Sequence, residues 1–175
     1  MDTDVDWLAA WCHFPVPLGP ILPLAVWLTK KDTRAGLEAR QAFYWQMITA
    51  GVLTTVFSAA LVISSLSMLL SLGGGLLLEG IEEGGLALLF MFSWILFAGA
   101  VNLISTAIVF VGGPLALVYQ VYMAYHSITN KPVNYFFIAK QFEEGNTRRL
   151  NILLGASVLA IIGFAAFVVY SLTLG

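Results

Sequence analysis

Residues 42–72 read AFYWQMITAGVLTTVFSAALVISSLSMLLSL, a run with no charged residue and no proline. A transmembrane helix needs about 20 mainly apolar residues to cross a hydrocarbon core of about 30 Å. At about 1.5 Å per residue this run makes a helix of about 46 Å, so it either tilts or projects beyond the bilayer. The whole chain agrees with that reading. Of its 175 residues 59% are hydrophobic and 10% charged, against about 45–50% and 25% in soluble domains. The expected class is an all-α integral membrane protein, a four-helix transmembrane bundle forming a single membrane domain.

Three further apolar stretches flank this run. Residues 7–28, WLAAWCHFPVPLGPILPLAVWL, are uncharged but carry Pro15, Pro17, Pro20 and Pro23. Proline lacks the N–H a helix needs and clashes with the preceding turn, so this first segment is expected to be a broken helix. It either crosses as two short helices joined by extended chain or re-enters on the inner face. Residues 86–125 are uncharged for 40 positions, too long for one ordinary span, and Gly112-Gly113-Pro114 is the natural kink in this long third helix. Residues 150–173, LNILLGASVLAIIGFAAFVVYSLT, make a conventional span. Residues 133–144, VNYFFIAKQFEE, are too short and too mixed to cross and read as an interfacial segment lying on the membrane.

Charge orients the bundle. All eight Lys and Arg fall in two segments: Lys30, Lys31, Arg34 and Arg40 in the first, and Lys131, Lys140, Arg148 and Arg149 in the second. By the positive-inside rule, loops 29–41 and 126–149 face the cytoplasm and the glycine-rich acidic loop 73–85 faces out. A single kinked crossing by residues 86–125 satisfies that arrangement. Lys30, Lys31, Arg34, Arg40, Arg148 and Arg149 are therefore expected to anchor the cytoplasmic face of a multi-pass protein in the cell membrane. Asp2, Asp4 and Asp6 stand where a signal peptide carries basic residues, so the first apolar stretch is expected to remain in the protein. The net charge of −2 offers no basic surface for nucleic acid.

Motifs for chemistry are sparse. The lone Cys12 cannot form an internal disulfide, and no Cys/His array suits zinc. His13 is the only ionisable residue inside an expected span, and a packed or interfacial role is the simpler reading than a ligand or pH switch. Glu79, Glu82 and Glu83 lie among six glycines, which reads as a solvated loop rather than a rigid acid/base or Ca²⁺ site. No GxSxG, HExxH or P-loop occurs. Neither an enzyme nor a cofactor is expected. Ala98, Asn102 and Ser105 form a polar stripe on the third helix, and Thr54, Thr55, Ser58, Ser64, Ser65 and Ser67 add hydroxyls to the second. Such groups line a hydrated path or, more simply, hydrogen-bond between helices. Ala156, Ala160 and Gly163 form a small-residue seam along which another helix can approach.

Three stretches in order, ILPLAVWLTKK (21–31), LEARQAFYWQ (37–46) and YHSITNKPVNYFF (125–137), resemble a family of small bacterial membrane proteins of unassigned function. That family is itself similar to the Tic-twenty component of the chloroplast inner-envelope import machinery. Pro23, Leu24, Trp27, Leu28, Lys30 and Lys31 match its first motif, and Gln41, Ala42 and Gln46 part of its second. Glu38 stands about where the family has a histidine, and Tyr44 where it has an asparagine. The resemblance implies a helical fold and a membrane location. The expected function is a non-enzymatic small membrane subunit or scaffold associating with the lipid bilayer and with other membrane proteins or itself. The alternative is a pore or protein-translocation component of the Tic-twenty-like type.

Overall fold

The computed structural model describes residues 7–14, 19–78, 84–145 and 147–174, which are helical with no strand among them. The helices are α1 (Trp7–Cys12), α2 (Ile21–Thr29), α3 (Arg34–Leu78), α4 (Gly84–Ala107), α5 (Gly113–Ile128), α6 (Phe136–Glu143) and α7 (Thr147–Leu174). A π-helical turn over Ile108–Gly112 joins α4 to α5. Three stretches are long and apolar enough to cross a membrane: Arg34–Ser71, Leu88–Ile128 and Thr147–Thr173. They contain the expected span 150–173 whole, and nearly all of 42–72 and 86–125. Only 11%, 11% and 6% of their most apolar windows is buried, so the protein itself covers little of this surface.

The expected first span, 7–28, corresponds to α1 and α2. At six and nine residues they reach about 9 Å and about 14 Å, and neither crosses a bilayer alone. Pro15 and Pro17 lie outside the described residues. Pro20 directly precedes α2 at φ −73°, and Pro23 is its third residue and buried. First-turn N–H groups have no partner within the helix, so a proline there removes no hydrogen bond. Leu24 N–H already bonds the Pro20 carbonyl at 3.1 Å.

Thr33 starts α3, its hydroxyl accepting from Gly36 N–H at 3.2 Å as an N-cap does. Gly36 is required by contact: a Cβ there would fall on the Lys30 carbonyl. Arg34, Glu38 and Arg40 are thus helical rather than loop. The expected break at Gly112-Gly113-Pro114 takes the form of the π turn. Pro114 offers no N–H and its ring crowds the carbonyl four residues earlier, and a wider turn just before it relieves both. Glu79, Glu82 and Glu83 lie outside the described residues.

Two compact units arise. The first comprises Met1–Val52 with Gly113–Gly175. In it α3 and α7 run parallel: Tyr44 Oη donates to Asn151 Oδ1 at 2.6 Å, and about two turns on Gly51 meets Ser157, where a Cβ at 51 would strike the serine side chain and backbone. α6 packs on α7 and buries Ile138, Ala139 and Gln141 while exposing Phe136 and Lys140. The second unit, Leu53–Gly112, buries Ala60, Ser67 and Ala98, and Trp94 stands edge-on to Phe90 and Phe97.

Candidate functional site

The first unit closes around a buried polar cluster. Glu38 sits on the first turns of α3, its side chain 7% exposed. Its Oε1 accepts from Arg34 Nε at 2.7 Å, one turn back on the same helix face. Its Oε2 accepts from Ser127 Oγ, near the end of α5, at 2.6 Å. His13 Nε2 lies 3.6 Å from the same oxygen, and His13 Nδ1 lies 2.9 Å from Tyr135 Oη. His13 and Tyr135 are both fully buried. The remaining contacts of the Tyr135 ring are aromatic: Trp45 stacks on it at 5.3 Å and Tyr119 meets it edge-on at 5.6 Å.

Protonation follows from these surroundings. Burial pushes the Tyr135 phenol well above its ordinary range, with Tyr119, Cys12 and Glu38 adding to the shift. The two ring nitrogens of His13 face different partners, Nδ1 the Tyr135 hydroxyl and Nε2 the Glu38 carboxylate. At 3.6 Å that contact is longer than a hydrogen bond. A phenol, an imidazole and a carboxylate in a row have the connectivity of a proton relay. All three side chains are out of solvent, and together they link residues 13, 38 and 135, which lie far apart in sequence.

Arg34 extends the cluster to the surface. Its Nη1 donates to Asn130 Oδ1 at 2.8 Å and its Nη2 to the Lys131 carbonyl at 3.2 Å. Asn130 holds φ +54°, a left-handed conformation that asparagine tolerates better than most residues. The two basic loops inferred from sequence are therefore joined through Arg34. Further in, Gln46 Nε2 donates to the Cys12 carbonyl at 3.1 Å, and Gln41 Oε1 accepts from Tyr135 N–H at 3.3 Å.

The residues singled out from sequence are dispersed. Asn102 Nδ2 donates to Ser64 Oγ at 2.7 Å, and Ser64 donates in turn to the Ala60 carbonyl. Ala98 is buried one turn away and Ser105 half-buried. On α7, Ala156 and Gly163 are exposed and Ala160 half-buried, while the face that packs within the unit carries Leu150, Leu154 and Ser157. Lys30, Lys31, Arg148 and Arg149 are exposed. Arg40 is half-buried, its guanidinium 4.1 Å above the Phe142 ring and 5.4 Å from that of Trp27.

Glu38, Ser127, Asn130 and Tyr135 were not among those candidates. In the structure the imidazole of His13 reaches Glu38 from 25 residues earlier in the chain. Among the described residues no group of three or more His, Cys, Asp or Glu is placed to hold a metal ion. No family model matches the chain, and no curated protein and no solved structure matches it.

Proposed function

We propose that this chain is a non-enzymatic membrane subunit in which three helices cross the bilayer and a re-entrant N-terminal pair, α1 and α2, locks their cytoplasmic ends together. The observation that carries the reading is the closure of the His13–Glu38–Tyr135 cluster. It ties the N-terminal pair, the start of α3, the end of α5 and the 126–135 connection into one body, with its polar groups turned on each other.

The same contacts support re-entry over crossing. His13 lies beside Glu38 and the Trp27 ring lies 6.0 Å from that of Tyr44. Both ends of residues 13–27 are therefore held against the first three turns of α3, and the stretch makes no net advance across the bilayer. Basic loops 29–41 and 126–149 then face the cytoplasm together with the N-terminus. The 133–144 segment lies on that face.

Outside the membrane the chain has little mass, and α7 exposes Ala156 and Gly163, with open space around the glycine. This favours a role exercised through other membrane proteins. The pore or translocation reading, together with the family resemblance behind it, gains less support: the polar side chain of the third helix is engaged with Ser64, as in ordinary helix packing.

Native-size analysis in mild detergent tests the function. A subunit co-purifies with a second membrane protein or a second copy, whereas a stable lone monomer sinks the proposal. Topology is tested by labelling Thr3→Cys and Lys31→Cys variants with a membrane-impermeant maleimide. Buried Cys12 stays unreactive, and re-entry requires both new thiols to react from the same side.

A further inference from the structure

Arg40 is a cation with no anionic partner among the described residues. Its guanidinium is packed between the rings of Phe142 and Trp27, and its buried Nε meets no acceptor among the described residues. Glu143 and Glu144 follow Phe142 in sequence, but the ion pair of that stretch is Lys140–Glu144 at 3.8 Å, and Arg40 takes part in none. A desolvated guanidinium donor left unpaired is unfavourable, while aromatic faces hold the plane of the group fixed.

The register of α3 and α7 brings a second arginine to the same level. Tyr44 bonds Asn151, Arg40 lies one turn before Tyr44, and Arg148 lies one turn before Asn151 on a parallel helix. Lys30 and Lys31 are exposed just past the end of α2, three and four residues beyond Trp27. Toward the apolar side the flank of α7 below Arg148 exposes Ile152 and Leu159. Two arginines above an uncovered apolar helix face match a molecule with a phosphate at one end and acyl chains at the other.

We propose that Arg40 and Arg148 clasp the phosphate of an anionic phospholipid whose chains lie along the α7 flank. Planar guanidinium groups bind phosphate oxygens through paired N–H donors, and an anionic headgroup has no cation of its own to compete. The assignment rests on the proposed membrane placement, but it can fail by itself: lipid preference can vanish while the labelling pattern of the topology test stands.

The test is native mass spectrometry of the full chain released from detergent with phosphatidylglycerol, phosphatidylcholine or inorganic phosphate. The wild type is expected to retain phosphatidylglycerol about tenfold over phosphatidylcholine. Arg40→Lys keeps the charge but loses the fork, Arg148→Gln loses the charge, and each is expected to weaken retention about tenfold, roughly the loss of one charge-assisted contact. Arg149→Gln, which points about 100° further round α7, leaves retention unchanged. Unaltered helix content by circular dichroism separates lost binding from misfolding. Equal retention of the two lipids, or wild-type retention by the Arg40→Lys/Arg148→Gln double variant, overturns the site. Displacement of the lipid by an equal concentration of inorganic phosphate overturns the lipid as its occupant.

Discussion

The two compact units of this chain are both helical and both apolar, yet they are held by different means. In the first, buried side chains of five types, His13, Glu38, Tyr135, Ser127 and Gln46, form bonds between segments far apart in sequence. In the second, Asn102 donates to Ser64 across helices, while the serines at 64, 65, 71 and 93 donate back to carbonyls of their own helices. Lipid offers no hydrophobic force to drive helices together. Where the arrangement is specified tightly, the specification comes from polar groups that find no partner elsewhere. Where such groups are few, the buried positions include small residues such as Ala60 and Ala98, the kind that lets helices approach closely.

The contrast is exposed most strongly by Glu38→Ala. It removes the acceptor of Arg34 and Ser127 and the carboxylate facing His13, and is expected to cost about 3 kcal/mol, read as a lowered midpoint of unfolding in a denaturing-detergent titration. Gly51→Ala comes next. The added Cβ meets Ser157 on its side chain and backbone, and overpacking of this kind costs about 2 kcal/mol. The separation of α3 from α7 is checked by double electron–electron resonance between spin labels on the two helices.

Tyr135→Phe follows, at about 1 kcal/mol near neutrality for the lost bond to His13. It also changes the pH profile. Because the folded phenol titrates above its unfolded value, its contribution is complete below the unfolded pKa of about 10 and is lost as pH rises beyond that. The wild type should therefore lose stability faster than Tyr135→Phe above about pH 10, and parallel curves would refute the assignment. Asn102→Ala, in the second unit, is expected to cost the least, about 0.6 kcal/mol. A loss as large as that of Glu38→Ala would erase the difference between the units.

How far these features were legible in the sequence depends on the range of the interaction. The three long helices were readable because an uncharged run of sufficient length is a local property. The start of α3 was not: Arg34, Glu38 and Arg40 look like loop charges until Thr33 caps them into a helix and Glu38 turns inward. The proline segment could be read as two short helices with crossing and re-entry both left open, since the contacts that hold its ends, with Tyr44 and Tyr135, lie far away in sequence. His13 was readable as a packed histidine. Its partners were not, because Glu38 and Ser127 are 89 residues apart and His13 and Tyr135 are 122. No spacing rule within one helix reaches that far.

Those separations also set a timetable. Chains are synthesised at about 5–20 residues per second, so His13 emerges roughly 6 to 24 s before the tyrosine that receives it. Asn151 follows Tyr44 by 107 residues, and α3 likewise waits for α7. By the end of α5, Arg34 and Ser127 are both present for Glu38, while His13 still awaits Tyr135. The imidazole is thus the first member of its cluster to be made, and it meets its phenol only after the other partners of Glu38 are in place.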